Sequence, residues 1–471
     1  MLSITIALFH VLGFISSINA IISTRTSQGA IAWAISLNTF PLVSVPAYWV
    51  FGRSKFNGYS SSWLADSTKA HERLDQFFHN IKPYNVQSPT FFHEYEAVKK
   101  LAYIPFLHGN KVTLLENGQE TYKSIRKGIA QAQSYILFQF YILRPDTIGN
   151  IFKEELIQKA KEGLAVYVLY DELGTKDLSK EWLVDFQDAG IQILPFNTRQ
   201  GINNAFQLNF RNHRKIVVVD GKEAWLGGLN VGDDYLGKDR KLTPWRDTHL
   251  RIVGPAALAA QATFFLDWHW ASRNLLEDLN WEAQSSPEGD ESVLILASGP
   301  AGEQETASLF FTNLLNAARH RIWIATPYFI PDAATLTALR LALLKGLEVR
   351  IITPALNDNW FVHNAAKVYL SELSGMGAQI YYYDQGFMHQ KVMLIDDRLA
   401  VIGTVNFDNR SFRLNFEVSA AVADQHFASE VENMLLRDIA HSKKLEPYNL
   451  DDRSLWQRFV AKGAALLAPV L

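Results

Sequence analysis

The chain carries the pattern HxKxxxxD twice, so histidine, lysine and aspartate recur at the same spacing. The members are His213, Lys215 and Asp220 in the first copy and His389, Lys391 and Asp396 in the second. The matched spacing continues after each aspartate to a glycine and then to Asn230 or Asn406. One isolated copy would favour a polar face on an edge strand. Two copies with matching flanks instead predict a duplicated chemical site.

The two histidine–lysine pairs suit chemistry at a phosphodiester. Near neutral pH an imidazole can attack phosphorus or transfer a proton, and an ammonium group can neutralise the charge that develops on the oxygens. If the copies meet about a pseudo-twofold axis, one histidine can form a covalent phosphohistidine. The other can protonate the leaving alcohol and then activate the incoming one. This scheme requires neither a metal ion nor an organic cofactor.

The short apolar run between each lysine and aspartate predicts a buried strand. Alternate residues of a strand share a face, so His213 and Lys215 should point the same way, as should His389 and Lys391. The aspartates lie an odd number of positions away and are followed by Gly221 or Asp397, which favours a turn at the strand end. We therefore expect Asp220 and Asp396 to support the site and not to take part in the chemistry directly.

Composition bounds the class of protein. The chain has 471 residues, a formal net charge of −3 and no cysteine. A chain of this length can form more than one lobe. The absence of cysteine excludes disulfides, thiolate catalysis and cysteine-bound zinc. No overall basic field suggests nucleic acid. Cationic residues cluster near the motifs, which favours an anionic group bound at one place; they are Arg211, Arg214, Lys215, Arg410 and Arg413.

Two apolar stretches without charged residues, 2–22 and 29–51, open the chain. Each is long enough to cross a hydrocarbon core of about 30 Å as a helix, which predicts a transmembrane hairpin. A cleaved signal peptide is the competing interpretation, but no positive charge precedes the first stretch and Ile18 suits a cleavage site poorly. A hairpin buried in a core is a further alternative. Arg53, Lys55, Lys69 and Arg73 follow the second stretch, against Arg25 in the loop, which favours a cytoplasmic catalytic region.

The rest of the chain alternates strand-like and helical stretches and predicts an α/β fold built by duplication. The predicted strands are 135–143, 164–170, 191–195 and 215–219 in the first half, and 321–330, 347–353, 379–383 and 391–395 in the second. The predicted helices are 119–133, 149–162, 180–189, 305–319, 333–345 and 362–376. The predicted divisions are a membrane hairpin (1–52), a connector (53–110), a first lobe (111–282), a linker (283–292) and a second lobe (293–471). Apolar residues at helical spacing near the C-terminus predict a helix that lies on a membrane surface or docks on its own lobe.

The two motifs resemble those of the phospholipase D superfamily, and their flanks resemble bacterial cardiolipin synthases with two motifs and two membrane spans. The resemblance extends over essentially the whole chain. The matching segments are 32–52, 211–215, 227–230, 234–237, 245–249, 327–331, 386–389 and 406–417. Thr404 stands where many relatives carry serine, and this change keeps the hydroxyl.

The resemblance implies two similar phospholipase D-like lobes, with sheets packed so that both motifs meet at the interface. It implies a phosphatidyl transfer in a bacterial inner membrane, in which two phosphatidylglycerol molecules give cardiolipin and glycerol. His213 would be the nucleophile, and His389 the general acid and then the general base. Lys215, Lys391, Asn230 and Asn406 would hold the phosphate oxygens, Asp220 and Asp396 would brace the sites, and Asp247 and Glu417 would orient an imidazole.

Three rival hypotheses remain at this stage. A membrane-bound phospholipase D that hydrolyses lipids to phosphatidic acid would share the catalytic residues and differ in the acceptor. A phosphodiesterase acting on DNA is disfavoured by the apolar N-terminal stretches and the slightly acidic composition. A membrane scaffold with a decayed site is disfavoured because both motifs are complete. The expected partners are phospholipids and the bilayer, with no nucleic acid; the oligomeric state is not predicted.

Overall fold

The computed structural model describes residues 2–24, 26–52, 55–59, 68–86, 96–200, 204, 208–239, 241–446 and 449–470. Two similar α/β lobes follow an N-terminal group of helices and a connecting segment. Arg25 and Arg53, which entered the prediction of membrane orientation, lie outside these residues.

The N-terminal helices show one part of the expected hairpin as a single long helix. The first stretch is one helix, α1 (Leu2–Ser23), but the second is divided into α2 (Ser27–Thr39) and α3 (Pro41–Phe51). Pro41 lacks a backbone N–H and opens a helix readily, so it starts α3 and cannot continue α2. Among the described residues, α1 is the one helix long and apolar enough to cross a membrane.

Side-chain hydrogen bonds hold α1 against α3. The Tyr48 hydroxyl donates to Oδ1 of Asn19 at 2.7 Å, and the Trp49 indole donates to Oγ of Ser16 at 3.1 Å. Tyr48 is fully buried. The helices therefore form a packed group in which one long helix lies against two shorter ones.

The connector and the first lobe contain the following elements. The helices are α4 (Thr68–Ile81), α5 (Glu96–Ala102), α6 (Asn117–Gln131), α7 (Thr147–Lys161), α8 (Lys180–Asp188) and α9 (Pro255–Ser272). The strands are β1 (Leu107–Glu116), β2 (Tyr135–Phe140), β3 (Ala165–Tyr170), β4 (Gln192–Pro195), β5 (Arg211–Asn212), β6 (Ile216–Val219), β7 (Glu223–Gly227), β8 (Trp245–Arg246) and β9 (Thr248–Val253).

The second lobe repeats the arrangement. Its helices are α10 (Thr306–Ala317), α11 (Ala333–Leu344), α12 (Trp360–Gly375), α13 (Asn409–Arg413), α14 (Gln425–Ala440) and α15 (Leu455–Ala465). Its strands are β10 (Glu291–Ser298), β11 (Arg321–Ala325), β12 (Phe329–Ile330), β13 (Glu348–Pro354), β14 (Gln379–Tyr383), β15 (Phe387–Met388), β16 (Val392–Ile395), β17 (Leu399–Gly403), β18 (Phe407–Asp408), β19 (Asn415–Ala423) and β20 (Ser442–Lys444).

The predicted alternation of strands and helices is confirmed in both halves, with shorter strands than expected. The strand predicted at 135–143 ends at Phe140, and the one predicted at 321–330 is interrupted between β11 and β12. Strand β1 begins inside the predicted connector, and β10 begins inside the predicted linker. Both boundary strands are needed to complete the sheets.

Each lobe has the same strand order, and the two sheets are continuous. The order is β4-β3-β2-β6-β7-β9 in the first lobe and β14-β13-β11-β16-β17-β19 in the second. Strand β1 pairs with β9 from Lys111 to Glu116, while its first residues pair with β10 at Leu107 and Asn110. The sheets of the two lobes are therefore joined through strand β1.

Helix α9 forms the centre of the shared core. It is an alanine-rich helix that is buried on nearly all sides. A helix that is apolar all round belongs in an interior and has no polar face to reveal its period. This explains why the sequence did not predict it. The same core extends to α14 through Val431 and Leu435, so α9 and α14 occupy corresponding places in the two lobes.

Candidate active site

Each motif histidine lies where the backbone of one lobe pairs with the other. Strand β5 runs parallel to β19, and the His213 N–H donates to the Phe416 carbonyl at 2.9 Å. Strand β15 runs parallel to β8, and the His389 N–H donates to the Arg246 carbonyl at 2.7 Å. The two histidines are therefore fixed at the seam between the lobes by equivalent pairings.

A buried carboxylate from the opposite lobe contacts each imidazole. Nδ1 of His213 lies 2.8 Å from Oε2 of Glu417, and Nδ1 of His389 lies 2.9 Å from Oδ2 of Asp247. Both carboxylates are completely buried. A carboxylate accepts a hydrogen bond, so it favours the tautomer with a proton on Nδ1 and leaves Nε2 as the nitrogen available for chemistry.

Burial keeps both imidazoles neutral in the free protein. It lowers the pKa of His213 to about 4, against the opposing effect of Glu417. Burial also lowers the pKa of His389 to about 4, and the nearby Lys391 adds to that effect. A neutral imidazole has a lone pair and can act as a nucleophile or as a base.

The two motif lysines lie deep in the site. Nζ of Lys215 donates to the His213 carbonyl at 2.6 Å and lies 5.2 Å from the centre of the Tyr141 ring. Nζ of Lys391 donates to the His389 carbonyl and lies 2.9 Å from Nδ1 of the same residue. Burial lowers the pKa of Lys215 well below its usual value and that of Lys391 to about 8.

The two halves form one electrostatic centre. Lys391 of the second lobe acts on His213 of the first, and its own pKa is raised by both Asp247 and Glu417 against the larger effect of burial. Titratable groups of the two lobes therefore act on one another, and a centre with two imidazoles and two lysines suits an anionic group such as a phosphodiester.

The motif aspartates bind backbone and do not reach the histidines. Oδ1 of Asp220 accepts from the N–H groups of Ser134 and Tyr135 at 2.8 and 2.9 Å, and its other oxygen accepts from that of Gln133 at 2.8 Å. Asp396 accepts from the corresponding residues of the second lobe, which are Arg319, His320 and Arg321. Each aspartate thus ties the end of a motif strand to the start of the neighbouring strand.

The two asparagines have different surroundings. Oδ1 of Asn230 accepts from the Ile142 N–H at 3.0 Å, and its amide donates to the Tyr235 hydroxyl at 2.9 Å. Oδ1 of Asn406 is buried and has no hydrogen-bond partner among the described residues. Asn230 therefore braces the loops around the site, whereas Asn406 retains unused hydrogen-bonding capacity.

A buried ionic network supports each motif from behind. Asp267 of α9 accepts from Arg214 at 2.5 Å, and also from Asn212 and Tyr59. In the second lobe, Asp438 of α14 accepts two hydrogen bonds from Arg246, at 2.8 and 3.0 Å. The two networks occupy corresponding places on α9 and α14, and they lock the backbone that carries the histidines.

Sequence reasoning assigned no role to two residues that contact the first motif. The Tyr141 ring lies edge-on to the His213 ring, with centroids 5.0 Å apart. Oδ2 of Asp171 accepts from the Asn212 N–H at 2.9 Å. Tyr141 follows β2, and the presence of Tyr328 shortly after the corresponding strand β11 was a usable signal for it. Asp171 directly follows β3 and has no comparable signal.

Comparison with known proteins gives concordant matches. A family model described as "Cardiolipin synthase, PLD-like domain" matches residues 125–243 and 311–439, which include both motifs. Cardiolipin synthase A of Pseudomonas fluorescens strain Pf-5 is 42% identical over 99% of this chain and 98% of its own length. Cardiolipin synthase A of Pseudomonas putida strain W619 is 41% identical, with 99% and 98% covered.

A solved structure shares the fold. The phosphatidylserine synthase of Haemophilus influenzae Rd KW20 superposes with a TM-score of 0.60 at 18% identity, and the match covers 80% of this chain and 100% of that one. The two-lobe α/β arrangement is therefore that of an experimentally known fold.

Proposed function

The chain belongs to the cardiolipin synthase family of phospholipase D-like proteins, and on that premise we propose that it makes cardiolipin. It transfers a phosphatidyl group from one phosphatidylglycerol to another and releases glycerol. The observation that carries this proposal is the pair of imidazoles at the seam, each oriented by a carboxylate of the opposite lobe.

In the first step, Nε2 of His213 attacks the phosphorus of the donor lipid. The bond between phosphorus and the oxygen of the head-group glycerol breaks, and His389 gives its proton to that oxygen. His389 must be protonated for this role. The bound phosphodiester carries a negative charge, which raises the pKa of His389 from its low value in the free protein. Asp358 adds to Asp247 in favouring the protonated ring, which supports His389 as the acid.

In the second step, the now neutral His389 accepts a proton from the terminal glycerol hydroxyl of a second phosphatidylglycerol. The hydroxyl oxygen attacks phosphorus, and the bond between phosphorus and Nε2 of His213 breaks. Cardiolipin leaves and both histidines return to their starting states. Lys215 and Lys391 neutralise the charge on the oxygens in both steps, and the side-chain nitrogen of Asn406 is proposed to donate to the same oxygens.

We propose that the enzyme acts at a membrane. Helix α1 anchors the chain, and α2 with α3 forms the second, divided leg of a two-span hairpin that leaves the catalytic lobes in the cytoplasm. Helix α15 adds a second contact: its small residues Ala461 and Ala464 pack against the second lobe, while Trp456 and Phe459 are 71% and 68% exposed. Aromatic side chains of this kind suit the interfacial region of a bilayer.

We also propose the division of the chain given by its sequence, with lobes at 111–282 and 293–471. Strands β1 and β10 at their borders would stay with the sheets that they complete. The lipid substrates then meet the site where the two lobes join.

Product analysis tests the proposed activity. The full-length protein in phosphatidylglycerol vesicles, with the glycerol head group isotopically labelled, is expected to yield labelled cardiolipin and free glycerol in equal amounts by mass spectrometry. Phosphatidic acid as the sole lipid product would instead identify a hydrolase. A second reaction that also contains phosphatidylethanolamine determines whether that lipid serves as a donor.

A further inference from the structure

Arg211 lies on the same side of the backbone as His213, and its Nη1 donates to the carbonyl of the preceding residue, Phe210. Alternate side chains of an extended segment face opposite sides. Asn212 and Arg214 both turn to Asp267 on one side, at 2.8 and 2.5 Å. Arg211 and His213 therefore share the other side, and both lie near Tyr141.

A second arginine reaches the same place from the other lobe. Arg410 of α13 donates through Nη2 to the Asn209 carbonyl at 2.7 Å, and it acts electrostatically on both Arg211 and Tyr141. The Asn209 amide in turn donates to the carbonyl of Phe51, the last residue of α3, at 2.9 Å. The two arginines thus meet at the seam next to the helices that we assign to the membrane.

The placement of Arg211 carries an electrostatic cost. Other arginines near the motifs have acidic partners: Arg214 pairs with Asp267, and Arg413 pairs with Glu305. Within the described part of the chain, no carboxylate lies at ion-pair distance from Arg211, and its side chain is half-buried. Burial lowers the pKa of Arg211 and the nearby Arg410 adds to that effect, whereas the carboxylate of Asp171 opposes it. A bound anion would offset both the burial of the Arg211 charge and its repulsion by Arg410.

We propose that Arg211 and Arg410 bind the second phosphodiester of the acceptor lipid, the one that does not react. This inference rests on the proposed function. The reacting phosphate occupies the centre between the histidines, while the acceptor phosphatidylglycerol brings its own phosphate at the far end of its glycerol. Two residues of extended chain separate Arg211 from His213 by about 7 Å, a distance that a glycerol bridge can span.

The proposed subsite determines which acceptor is used. Water and free glycerol have no second phosphate and gain nothing from the arginine pair. An anionic lipid acceptor gains charge-assisted hydrogen bonds that orient its hydroxyl toward phosphorus. The donor step uses only the reacting phosphate, so it does not depend on these arginines.

Two acceptors measured on the same protein separate these steps. Labelled free glycerol is incorporated into phosphatidylglycerol when it attacks the phosphatidyl-enzyme. This exchange measures transfer to an acceptor that has no second phosphate. Cardiolipin formation reports the full subsite. Arg211→Gln and Arg410→Gln are compared with Arg211→Lys, which keeps the charge, and with Arg126→Gln, which removes a charge from an exposed pair with Glu155.

The Gln variants are expected to lower the ratio of cardiolipin formation to glycerol exchange about ten-fold or more, with exchange retained. The Lys variant should recover part of the ratio, and the Arg126 variant should match the wild type. An unchanged ratio in both Gln variants would overturn the inference. Loss of exchange and cardiolipin together would also overturn it, because the arginines would then serve the donor step. A wild-type protein that exchanges glycerol but makes no cardiolipin would refute the proposed function itself.

Discussion

Glu417 of the second lobe lies 2.8 Å from Nδ1 of His213 in the first lobe. Asp247 of the first lobe contacts His389 of the second in the same way. Neither lobe therefore contains a complete site, because each histidine takes its orienting carboxylate from the other lobe. In the proposed mechanism, each motif therefore requires a residue of the other lobe.

Replacing these carboxylates by amides should impair turnover with little loss of folded protein. Glu417→Gln and Asp247→Asn keep the size of the side chain but no longer select the Nδ1-protonated tautomer. We expect kcat to fall by about 10²- to 10⁴-fold, as for orienting carboxylates in other histidine-based sites. Steady-state assays with phosphatidylglycerol measure this effect. Asp185→Asn, at an exposed ion pair with Lys153, is the matched control, and wild-type turnover in both site variants would refute the orienting role.

The motif aspartates should affect stability more than chemistry. Asp220→Asn and Asp396→Asn each leave one carbonyl oxygen where two carboxylate oxygens now accept backbone N–H groups. We expect the free energy of unfolding to fall by about 1–3 kcal/mol for each variant. Denaturant unfolding in detergent gives this quantity. A variant with normal stability but no activity would show that the aspartate acts on the substrate instead.

Removing one partner of the buried ion pair between Arg214 and Asp267 should destabilise the protein strongly. Asp267→Asn would leave the buried guanidinium without a counter-charge, and we expect a loss of about 3–5 kcal/mol. The exposed pair of Lys153 and Asp185 should contribute less than about 1 kcal/mol. Thermal unfolding of the two single variants compares them directly, and equal losses would contradict the difference in burial.

Acid should destabilise the protein below neutral pH. Burial lowers the pKa of His213 and His389 to about 4 and that of His249 to about 3, from 6.5. Between the lowered pKa values and 6.5, the unfolded chain binds more protons than the folded one. The free energy of unfolding therefore falls as the pH decreases from 6.5 toward 4. Above pH 6.5 these histidines no longer change it.

His249 offers the cleanest test of this pH dependence. Both of its ring nitrogens are buried without a hydrogen-bond partner in the part of the chain that the structure describes. His249→Gln should make the dependence of the melting temperature on pH less steep between pH 4.5 and 6.5. An identical slope in the variant would mean that His249 keeps an ordinary pKa.

Much of the site was predictable from spacing and alternation. The duplicated motif singled out the two histidines that the structure places at the seam between the lobes, and the odd separation of Asp220 from Lys215 correctly placed that carboxylate at a strand end. The strands of both halves were also predicted, because a short apolar run is a feature of the local sequence.

Other features depend on contacts between distant parts of the chain. The pairing of β5 with β19 joins residues about 200 positions apart, and no local pattern specifies it. Helix α9 lacks a polar face, so it has no helical period in the sequence. The break between α2 and α3 lies at Pro41 and was not predicted, because hydropathy alone hides it: proline adds no charge to an apolar stretch.

The central claim is that two histidines from different lobes act on one phosphorus atom, with His213 as the nucleophile. Rapid denaturation during turnover of phosphatidylglycerol at mildly alkaline pH, which preserves the acid-labile phosphorus–nitrogen bond, followed by peptide mass spectrometry, tests it most directly. We predict a phosphatidyl adduct on His213 in the wild type and in His389→Ala, and no adduct in His213→Ala. An adduct on His389 that persists in His213→Ala and is absent from His389→Ala would contradict this assignment.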